Sequence, residues 1–242
     1  MNASTERLSS LLKSEKPIAI IPARGGSKRI PRKNIKLFNG EPMISYAISA
    51  LRKTNLFEEI IVSTDDLEIA RISESFGAFI PFMRPEILGG DSIGTVEVIA
   101  DLVKTLDLKG SRLVCCTYAT NPFLDSENLI SGFDLILNSL DAEYACAVAK
   151  YNYPIQRALE AGSHGLMQMA LPENLLRHSQ TLEERWHDAG QFYFAKAETW
   201  ASGKPMLMNT IGIEIDKWRC VDIDDEEDWQ KAELLHKISS KI

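Results

Sequence analysis

Cysteine is scarce in this chain, and its cysteines do not form the pairs that zinc or redox sites require. The four are Cys115, Cys116, Cys146 and Cys220, and no two of them make a C-x-x-C motif. Cys115 and Cys116 lie side by side in an apolar run, where we expect them to pack as small hydrophobic side chains. The sequence therefore argues against a zinc domain and a disulfide framework, and the cytoplasm is the simplest compartment.

Long apolar runs are also absent. No stretch approaches the roughly 20 apolar residues that cross a membrane as a helix, and residues 1–16 contain Glu6, Arg7 and Lys13 instead of the apolar core of a secretion signal. The formal net charge of −7 does not suit a general nucleic-acid-binding protein, which needs a broad basic surface. We therefore expect neither a membrane nor a nucleic acid among the partners of this chain.

One segment of this acidic chain has no acidic residue at all, between Glu15 and Glu41. It contains an apolar run that predicts a strand, and the glycine pair Gly25–Gly26 follows. Glycines let backbone N–H groups approach phosphate oxygens closely. Cations that could neutralise phosphate charge surround the pair, namely Arg24, Lys28, Arg29, Arg32 and Lys33. The pattern indicates a strand that leads into a phosphate-binding loop.

Two familiar phosphate loops do not match this segment. The P-loop pattern G-x-x-x-x-G-K-[ST] needs a second glycine five positions after the first, and this chain has Pro31 five positions after Gly26. The dinucleotide fingerprint G-x-G-x-x-G separates glycines that are adjacent in this chain. The alternative interpretation is a solvated basic loop that touches nucleic acid.

Predicted strands and helices alternate along most of the 242 residues. The strands are predicted over residues 17–22, 60–62, 79–82, 113–116, 145–149, 191–195 and 211–215. This alternation indicates an α/β fold in which helices cover both faces of a mainly parallel sheet, with ligands beyond the carboxyl ends of the strands. The pattern weakens over residues 150–188, which we interpret as an excursion inserted into one domain.

Four segments carry a resemblance to one enzyme family. They are ARGGSK at 23–28 with Lys33–Asn34, IVSTDD at 61–66, FMRPE at 82–86 and VDID at 221–224. Together they resemble the signature of the sugar-activating cytidylyltransferases, the CMP-sialate synthetase family, over essentially the whole chain. The resemblance implies a single nucleotidyltransferase domain over residues 1–242, with a Rossmann-like, doubly wound sheet of the nucleotide-diphospho-sugar transferase type. It also implies transfer of CMP from CTP to a sugar acid with release of pyrophosphate, a Mg²⁺ cofactor, and a homodimer joined through residues 150–188.

The same resemblance assigns residues to CTP and to catalysis. The catalytic residues that it implies are Arg24, Lys28, Asp222 and Asp224. The CTP-binding residues that it implies are Ala23, Arg24, Gly25, Gly26, Ser27, Lys28, Lys33, Asn34, Arg84, Asp91 and Thr95. Arg29 and Arg32 match no fixed position of the motif, and we interpret them as solvated cations. Thr64 or Asp65 is expected to cap the next helix, and we favour capping over chemistry for residues 64–66.

Asp222 and Asp224 are two residues apart, a spacing that places both side chains on one side of an extended segment. Both carboxylates could then reach one Mg²⁺, a hard ion that prefers oxygen ligands and triphosphate. The acidic run continues through residues 225–228, and such runs usually face solvent at the start of a helix. We therefore expect Asp222 and Asp224, which match the D-x-D of the family, to bind the metal, and residues 225–228 to begin the helix.

The predicted sugar site departs from the sialate enzymes at one position. Their loop after the central strand reads Q-P-T-S-P, whereas this chain has Tyr118 in place of the glutamine. With PIQRA at 154–158 and HDAGQF at 187–192, this difference resembles the branch of the family that acts on pseudaminic acid. The sugar-binding residues implied are Tyr118, Thr120, Asp188, Gln191 and Phe192. The same reaction on sialic, legionaminic or another 2-keto-3-deoxy sugar acid, and a non-catalytic nucleotide-binding protein, stay open as alternatives.

Overall fold

A six-stranded β-sheet forms the centre of the protein in the computed structural model, which describes residues 3–90 and 93–239. The strands of this sheet and of two small hairpins are β1 (Ile18–Pro22), β2 (Leu37–Phe38), β3 (Glu41–Pro42), β4 (Glu59–Ser63), β5 (Leu113–Thr117), β6 (Tyr144–Lys150), β7 (Leu159–Ala161), β8 (Met167–Met169), β9 (Trp186–Lys196) and β10 (Thr210–Glu214). The helices are α1 (Ala3–Lys13), α2 (Met43–Thr54), α3 (Leu67–Ser75), α4 (Thr95–Thr105), α5 (Ser126–Asn138), α6 (Ala197–Ala201) and α7 (Glu226–Ser239).

The strand order in the central sheet is β10-β6-β9-β5-β1-β4. β1 is parallel to both of its neighbours, β4 and β5, and β10 is parallel to β6. β9 runs antiparallel to β5 and β6, between which it lies. The prediction of a mainly parallel α/β sheet is therefore confirmed. The sequence prediction differs at residues 79–82, where Phe79 forms an isolated bridge with Ile61 instead of a strand, and at β9, which begins at Trp186 instead of residue 191.

Helices cover both faces of the sheet because successive residues of a strand point to opposite sides. Ala19 and Ile21 of β1 pack in the core beneath α2, α3 and α5. Ile18 and Ile20 pack in a second core with α1, α4 and α6. This arrangement is the doubly wound architecture that the alternating pattern predicts.

The adjacent cysteines of β5 follow the same alternation. Cys115 belongs to the first core and Cys116 to the second, and both are fully buried free thiols. Burial raises the pKa of each thiol above its usual range, so both stay protonated at neutral pH. Their placement as small hydrophobic side chains agrees with the interpretation of the sequence.

A third, smaller core holds the loop after β1 against the C-terminal part of the chain. Ile30 of this loop, Phe38 of β2 and Ile223 are buried together with Trp229 of α7. The apolar side chains of residues 30 and 223 thus fix two polar segments next to each other. One is the cationic loop, and the other is the acidic segment that precedes α7.

Residues 151–185 form the excursion between β6 and β9. They contain the short antiparallel hairpin of β7 and β8 and expose many apolar side chains. The predicted excursion of residues 150–188 is therefore a few residues too long, because Lys150 belongs to β6 and residues 186–188 belong to β9. Within residues 3–90 and 93–239, no helix combines the length and the apolar character that crossing a bilayer requires.

Candidate active site

Loops from the carboxyl ends of the parallel strands meet at one edge of the sheet. β1 leads into residues 23–34, β4 into residues 64–66 and β5 into residues 118–121. β9 reaches this edge with its first residues because it runs in the opposite direction. The segments that the sequence analysis assigned to CTP and sugar are therefore gathered where a parallel α/β sheet binds its ligands.

Three adjoining clefts lie at this edge, and Tyr118 lines all of them. The Lys28 cleft, of about 440 Å³, is lined by polar side chains of Arg24, Ser27, Lys28, Lys33, Asn34 and Asp224. The Arg84 cleft, of about 240 Å³, is lined by residues including Arg24, Arg84, Gly94 and Thr95. The Asp188 cleft, of about 450 Å³, is lined by residues including Thr120, His187, Asp188, Gly190 and Asp222. Ligands in the three clefts would lie side by side around Tyr118.

The loop after β1 is held in place through its backbone. The amide of Gly25 donates a hydrogen bond of 2.8 Å to Oδ1 of Asp65. Nδ2 of Asn34 donates one of 2.8 Å to the carbonyl oxygen of Arg24. Asn34 therefore supports the loop from below, while the side chains of Arg24 and Lys28 line the Lys28 cleft.

Four other predicted CTP residues have different placements. Ala23 is 1% exposed in the first core, and its amide donates to the carbonyl oxygen of Ser63 (2.9 Å). Gly26 precedes Ser27 and has open space where a Cβ would lie. Thr95 is the first residue of α4 and lines the Arg84 cleft. Asp91 lies outside the described residues.

Helix α3 begins beside this loop, and its N-cap is Asp66. Oδ1 of Asp66 accepts hydrogen bonds from the backbone amides of Glu68 (2.9 Å) and Ile69 (3.0 Å). The prediction that Thr64 or Asp65 caps this helix is therefore wrong. Oγ1 of Thr64 accepts from the Asp66 amide (3.1 Å), and the carboxylate of Asp65 turns towards the loop.

Arg32 stabilises the loop and is not the solvated cation that the sequence suggested. Its guanidinium pairs with Asp66 and with Glu68, and its backbone has a positive φ of 56°. The hydrogen bond from Arg32 is the main cause that lowers the pKa of Asp66 from 3.8 to about 2. A Cβ at Gly25 would lie 2.8 Å from Oδ2 of Asp66, so the loop approaches this carboxylate more closely than any larger residue allows.

Arg84 contributes a buried guanidinium with unused donors. Its side chain is 5% exposed, and neither Nε nor Nη2 has a hydrogen-bond partner among residues 3–90 and 93–239. Oδ1 of Asp65 lies 3.9 Å from Nη2. Burial is the main cause that lowers the pKa of Arg84. Since buried donors are normally satisfied, this guanidinium suits a ligand that brings acceptor oxygens into the Arg84 cleft.

Tyr118 links the three clefts through a short polar network. Its hydroxyl lies 3.1 Å from Oγ1 of Thr95, and its ring packs edge-on against Tyr193. The hydroxyl of Tyr193 donates to Oδ2 of Asp188 (2.6 Å), and Oδ1 of Asp188 accepts from the amide of Gly190 (2.9 Å). Burial raises the pKa of Tyr118 to about 12, so the side chain presents a neutral phenol to the clefts.

Gln191 and Phe192 are buried and are not among the residues that line the three clefts. Phe192 is fully buried in the first core. Nε2 of Gln191 donates to the carbonyl oxygen of Arg219 (2.7 Å), and its backbone carbonyl accepts from Thr117 and Asn121. Gln191 therefore fixes the segment that leads to the acidic pair, and Phe192 stabilises the sheet.

His187 and Cys220 are among the residues that line the Asp188 cleft and that the sequence prediction omitted. The His187 ring packs edge-on against Tyr151, and its Nδ1 lies 2.9 Å from the carbonyl oxygen of Asp188. The segment HDAGQF contains His187, and its residues 187–190 line this cleft. Gln191 and Phe192 of the same segment are buried. In the sequence, nothing pointed to Cys220 except its position two residues before Asp222.

The carboxylates of Asp222 and Asp224 lie on either side of a buried residue. Ile223 is 2% exposed in the third core, whereas Asp222 lines the Asp188 cleft and Asp224 lines the Lys28 cleft. Nζ of Lys33 donates to the carbonyl oxygen of Ile223. Nη1 of Arg29 lies 2.7 Å from Oδ2 of Asp224, so Arg29 is exposed but paired. Burial lowers the pKa of Lys33, against the opposing effect of both carboxylates.

The rest of the acidic run behaves as the sequence analysis expected. Oδ1 of Asp225 accepts from the amide of Asp228 (2.9 Å), and Glu226 pairs with Lys36 (2.7 Å). Residues 226–228 form the first turn of α7, where negative charge is favourable. These carboxylates start the helix and do not line the three clefts.

Fold and site together define a class of protein. A cationic loop, a buried arginine and two carboxylates at the ligand-binding edge of an α/β sheet suit the transfer of a nucleotidyl group, which depends on positioning and charge neutralisation. The fold is similar to that of a CMP:2-keto-3-deoxy-manno-octonic acid synthetase complexed with CTP. The TM-score is 0.69 at 14% sequence identity, over 94% of this chain and 100% of that chain. This similarity shows that the two proteins share a fold.

Sequence comparisons identify the family within that class. Residues 18–185 match the cytidylyltransferase family. The chain is 34% identical to pseudaminic acid cytidylyltransferase of Campylobacter jejuni, over 93% of this chain and 97% of that protein. It is 31% identical to N-acylneuraminate cytidylyltransferase A of Danio rerio, over 91% of this chain and 51% of that protein. The chain belongs to the cytidylyltransferase family.

Acid should weaken the fold around the loop through Asp66. The folded state lowers the pKa of this carboxyl to about 2, so its contribution to the free energy of unfolding is complete above about pH 4 and is lost as the pH falls towards 2. For a side chain that is 21% exposed, we expect about 1 kcal/mol after solvent screening. Asp66→Asn should unfold at lower urea concentration at pH 7 and lose less stability over this pH range. Equal acid sensitivity of Asp66→Asn and the wild type would contradict the assignment.

Proposed function

We propose that the protein transfers the CMP group of CTP to pseudaminic acid and releases pyrophosphate. The observation that carries this proposal is the meeting of the Lys28, Arg84 and Asp188 clefts at Tyr118. Three differently lined clefts suit a triphosphate, a base and a sugar acid. In the proposed reaction a sugar hydroxyl oxygen bonds to the α-phosphorus, the bond from that phosphorus to the pyrophosphate oxygen breaks, and the hydroxyl proton passes to solvent.

The triphosphate occupies the Lys28 cleft in this proposal. Arg24 and Lys28 line that cleft on a loop whose backbone is fixed by Asp65 and Asn34. Negative charge grows on the leaving pyrophosphate, and cations held in place beforehand stabilise it without reorganisation. The unused donors of Arg84 serve the acceptor atoms of the cytosine, its O2 and N3, in the neighbouring cleft.

The sugar acid occupies the Asp188 cleft. Tyr118 places an aromatic ring where the sialate enzymes resembled by this sequence carry glutamine. A deoxy, methyl-terminated chain, as in pseudaminic acid, suits such a surface better than the glycerol tail of sialic acid. The similarity to the Campylobacter jejuni enzyme over nearly the full length of both chains supports the same choice.

The acidic pair fits Mg²⁺, which we include as the cofactor. Asp222 and Asp224 present carboxylate oxygens beside a cation-lined cleft. The part of the chain that the structure describes has no cluster of three or more His, Cys, Asp or Glu side chains that could hold a metal, so substrate phosphates complete the oxygen ligands. When bound, Mg²⁺ neutralises triphosphate charge. Arg29 holds the Asp224 carboxylate at the rim of the cleft.

We also propose a homodimer joined through residues 151–185. This segment exposes several large apolar side chains close together in sequence, among them Tyr153, Leu166, Met167, Leu175 and Leu176. Apolar surface of this kind is stabilised when another surface covers it. A second copy of the chain is the partner that the family resemblance implies.

Replacing a carboxylate of the acidic pair should make activity depend more strongly on the metal. Asp224→Asn removes one negative ligand, so kcat/KM for CTP should fall at least about tenfold and recover partly when Mg²⁺ is raised. Glu226→Gln is the matched control, because Glu226 pairs with Lys36 at the start of α7. It should change the rate by less than about twofold. Equal damage from both variants would show that the acidic run acts as a whole.

The choice of sugar tests the function itself. Pyrophosphate release at saturating CTP should give a kcat/KM at least about tenfold higher for pseudaminic acid than for N-acetylneuraminic acid, since unpaired hydroxyls in a closed site reduce transition-state binding. Tyr118→Gln should reduce the difference in kcat/KM between pseudaminic acid and N-acetylneuraminic acid. Equal or reversed efficiencies would return the chain to the general sialate class. Absence of pyrophosphate release with every sugar acid would favour a non-catalytic nucleotide-binding protein.

Charge placed on the excursion should separate the copies. Leu176 is 91% exposed in one chain, so Leu176→Glu leaves the fold intact and opposes burial between copies. Sedimentation velocity should show a dimer for the wild type and a shift to monomer for this variant. Leu140→Glu is the control, since Leu140 is fully exposed outside the excursion. A wild-type monomer at micromolar concentration would overturn the proposal.

A further inference from the structure

We propose that Asp65 is a positioning residue that holds the phosphate-binding loop and the Arg84 cleft in register with each other. The inference rests on the proposed function, because it takes CTP as the ligand that spans both places. Residues 64–66 were assigned to helix capping from the sequence, but the cap of α3 is Asp66. The Asp65 carboxylate makes none of the capping bonds.

The carboxylate of Asp65 contacts three separate segments of the chain. Its Oδ1 accepts the hydrogen bond from the Gly25 amide (2.8 Å) and lies 3.9 Å from Nη2 of Arg84. Its Oδ2 lies against Gly89, where an added Cβ would be 2.7 Å away. The Asp65 carboxylate therefore sets the spacing between the loop after β1, the guanidinium of Arg84 and the turn at residue 89.

Electrostatics alone would disfavour an acidic residue at this position. A carboxylate close to a triphosphate site repels the phosphates, so its presence has to bring a compensating gain. In the structure, that gain is the contact of the Asp65 carboxylate with both the Gly25 amide and the Arg84 guanidinium. Arg84 is 5% exposed and has Asp65 as its counter-charge, while Arg24 opposes it as a like charge in the same cleft. Without Asp65, Arg84 would be a buried cation lacking its partner, which is costly.

The backbone around Asp65 would survive its replacement. The amide of Arg84 donates to the carbonyl oxygen of Thr64 (2.8 Å), and the amide of Ala23 donates to that of Ser63 (2.9 Å). These bonds keep the strand ends together whatever side chain residue 65 carries. Loss of the carboxylate should therefore shift the Gly25 amide and the Arg84 guanidinium relative to each other without unfolding the sheet.

Calorimetric titration with CTP and with tripolyphosphate tests the proposal, since tripolyphosphate uses the loop alone. Asp65→Ala should weaken CTP binding at least about tenfold and tripolyphosphate binding clearly less. Asp65→Asn keeps an oxygen for the Gly25 amide but removes the counter-charge of Arg84. It should restore most of the tripolyphosphate affinity and little of the CTP affinity. Glu74→Gln, an exposed carboxylate farther along α3, should leave both affinities within about twofold.

Three results would overturn the proposal. Tighter CTP binding by both Asp65 variants would show that the carboxylate only repels phosphate. Equal losses for CTP and tripolyphosphate in Asp65→Ala would show that it braces the loop alone. A fall in melting temperature with unchanged affinities would show a structural role only. A wild-type protein that binds CTP but releases no pyrophosphate would refute the proposed function and leave this comparison of affinities valid.

Discussion

Repulsion within the cationic loop after β1 is the constraint on which the rest of the site depends. A loop with this many cations would spread apart unless other segments opposed its charge. Carboxylates on two sides of the loop oppose its positive charge. Asp66 pairs with Arg32 on one side, and Asp224 pairs with Arg29 on the other. The loop can therefore present cations to a ligand in a fixed arrangement, and the acidic segment is held near it by the same contacts.

The direction of β9 explains how a distant segment joins the site. In an all-parallel sheet the start of a strand lies at the edge away from the ligand. Because β9 runs antiparallel between β5 and β6, its first residues lie beside the ends of both, and Asp188 pairs with Val148 near the end of β6. The excursion before β9 thus delivers His187 and Asp188 to the clefts. The single reversed strand of this sheet therefore places the Asp188 cleft beside the Lys28 cleft.

The sequence predicted the class of fold and the location of the site better than the roles of individual residues. Hydrophobic periodicity was sufficient for the doubly wound sheet, since alternation in each strand is a local property. The burial of Gln191 and Phe192 depends on the register of β9 with β5, which no local pattern shows. Arg32 and Asp65 were misread because their partners, Asp66 and Gly25, are more than thirty residues away. Long-range pairing of charges is what the sequence alone leaves undetermined.

The most direct test of this account is a crystal structure with CTP and a sugar-acid analogue that lacks the attacking hydroxyl. We expect the triphosphate along Arg24 and Lys28 in the Lys28 cleft, and the base in the Arg84 cleft. The analogue should lie in the Asp188 cleft, with its reacting carbon facing the α-phosphorus beside Tyr118. A triphosphate outside the Lys28 cleft, or an analogue bound away from Tyr118, would contradict the central claim that the three clefts form one active site.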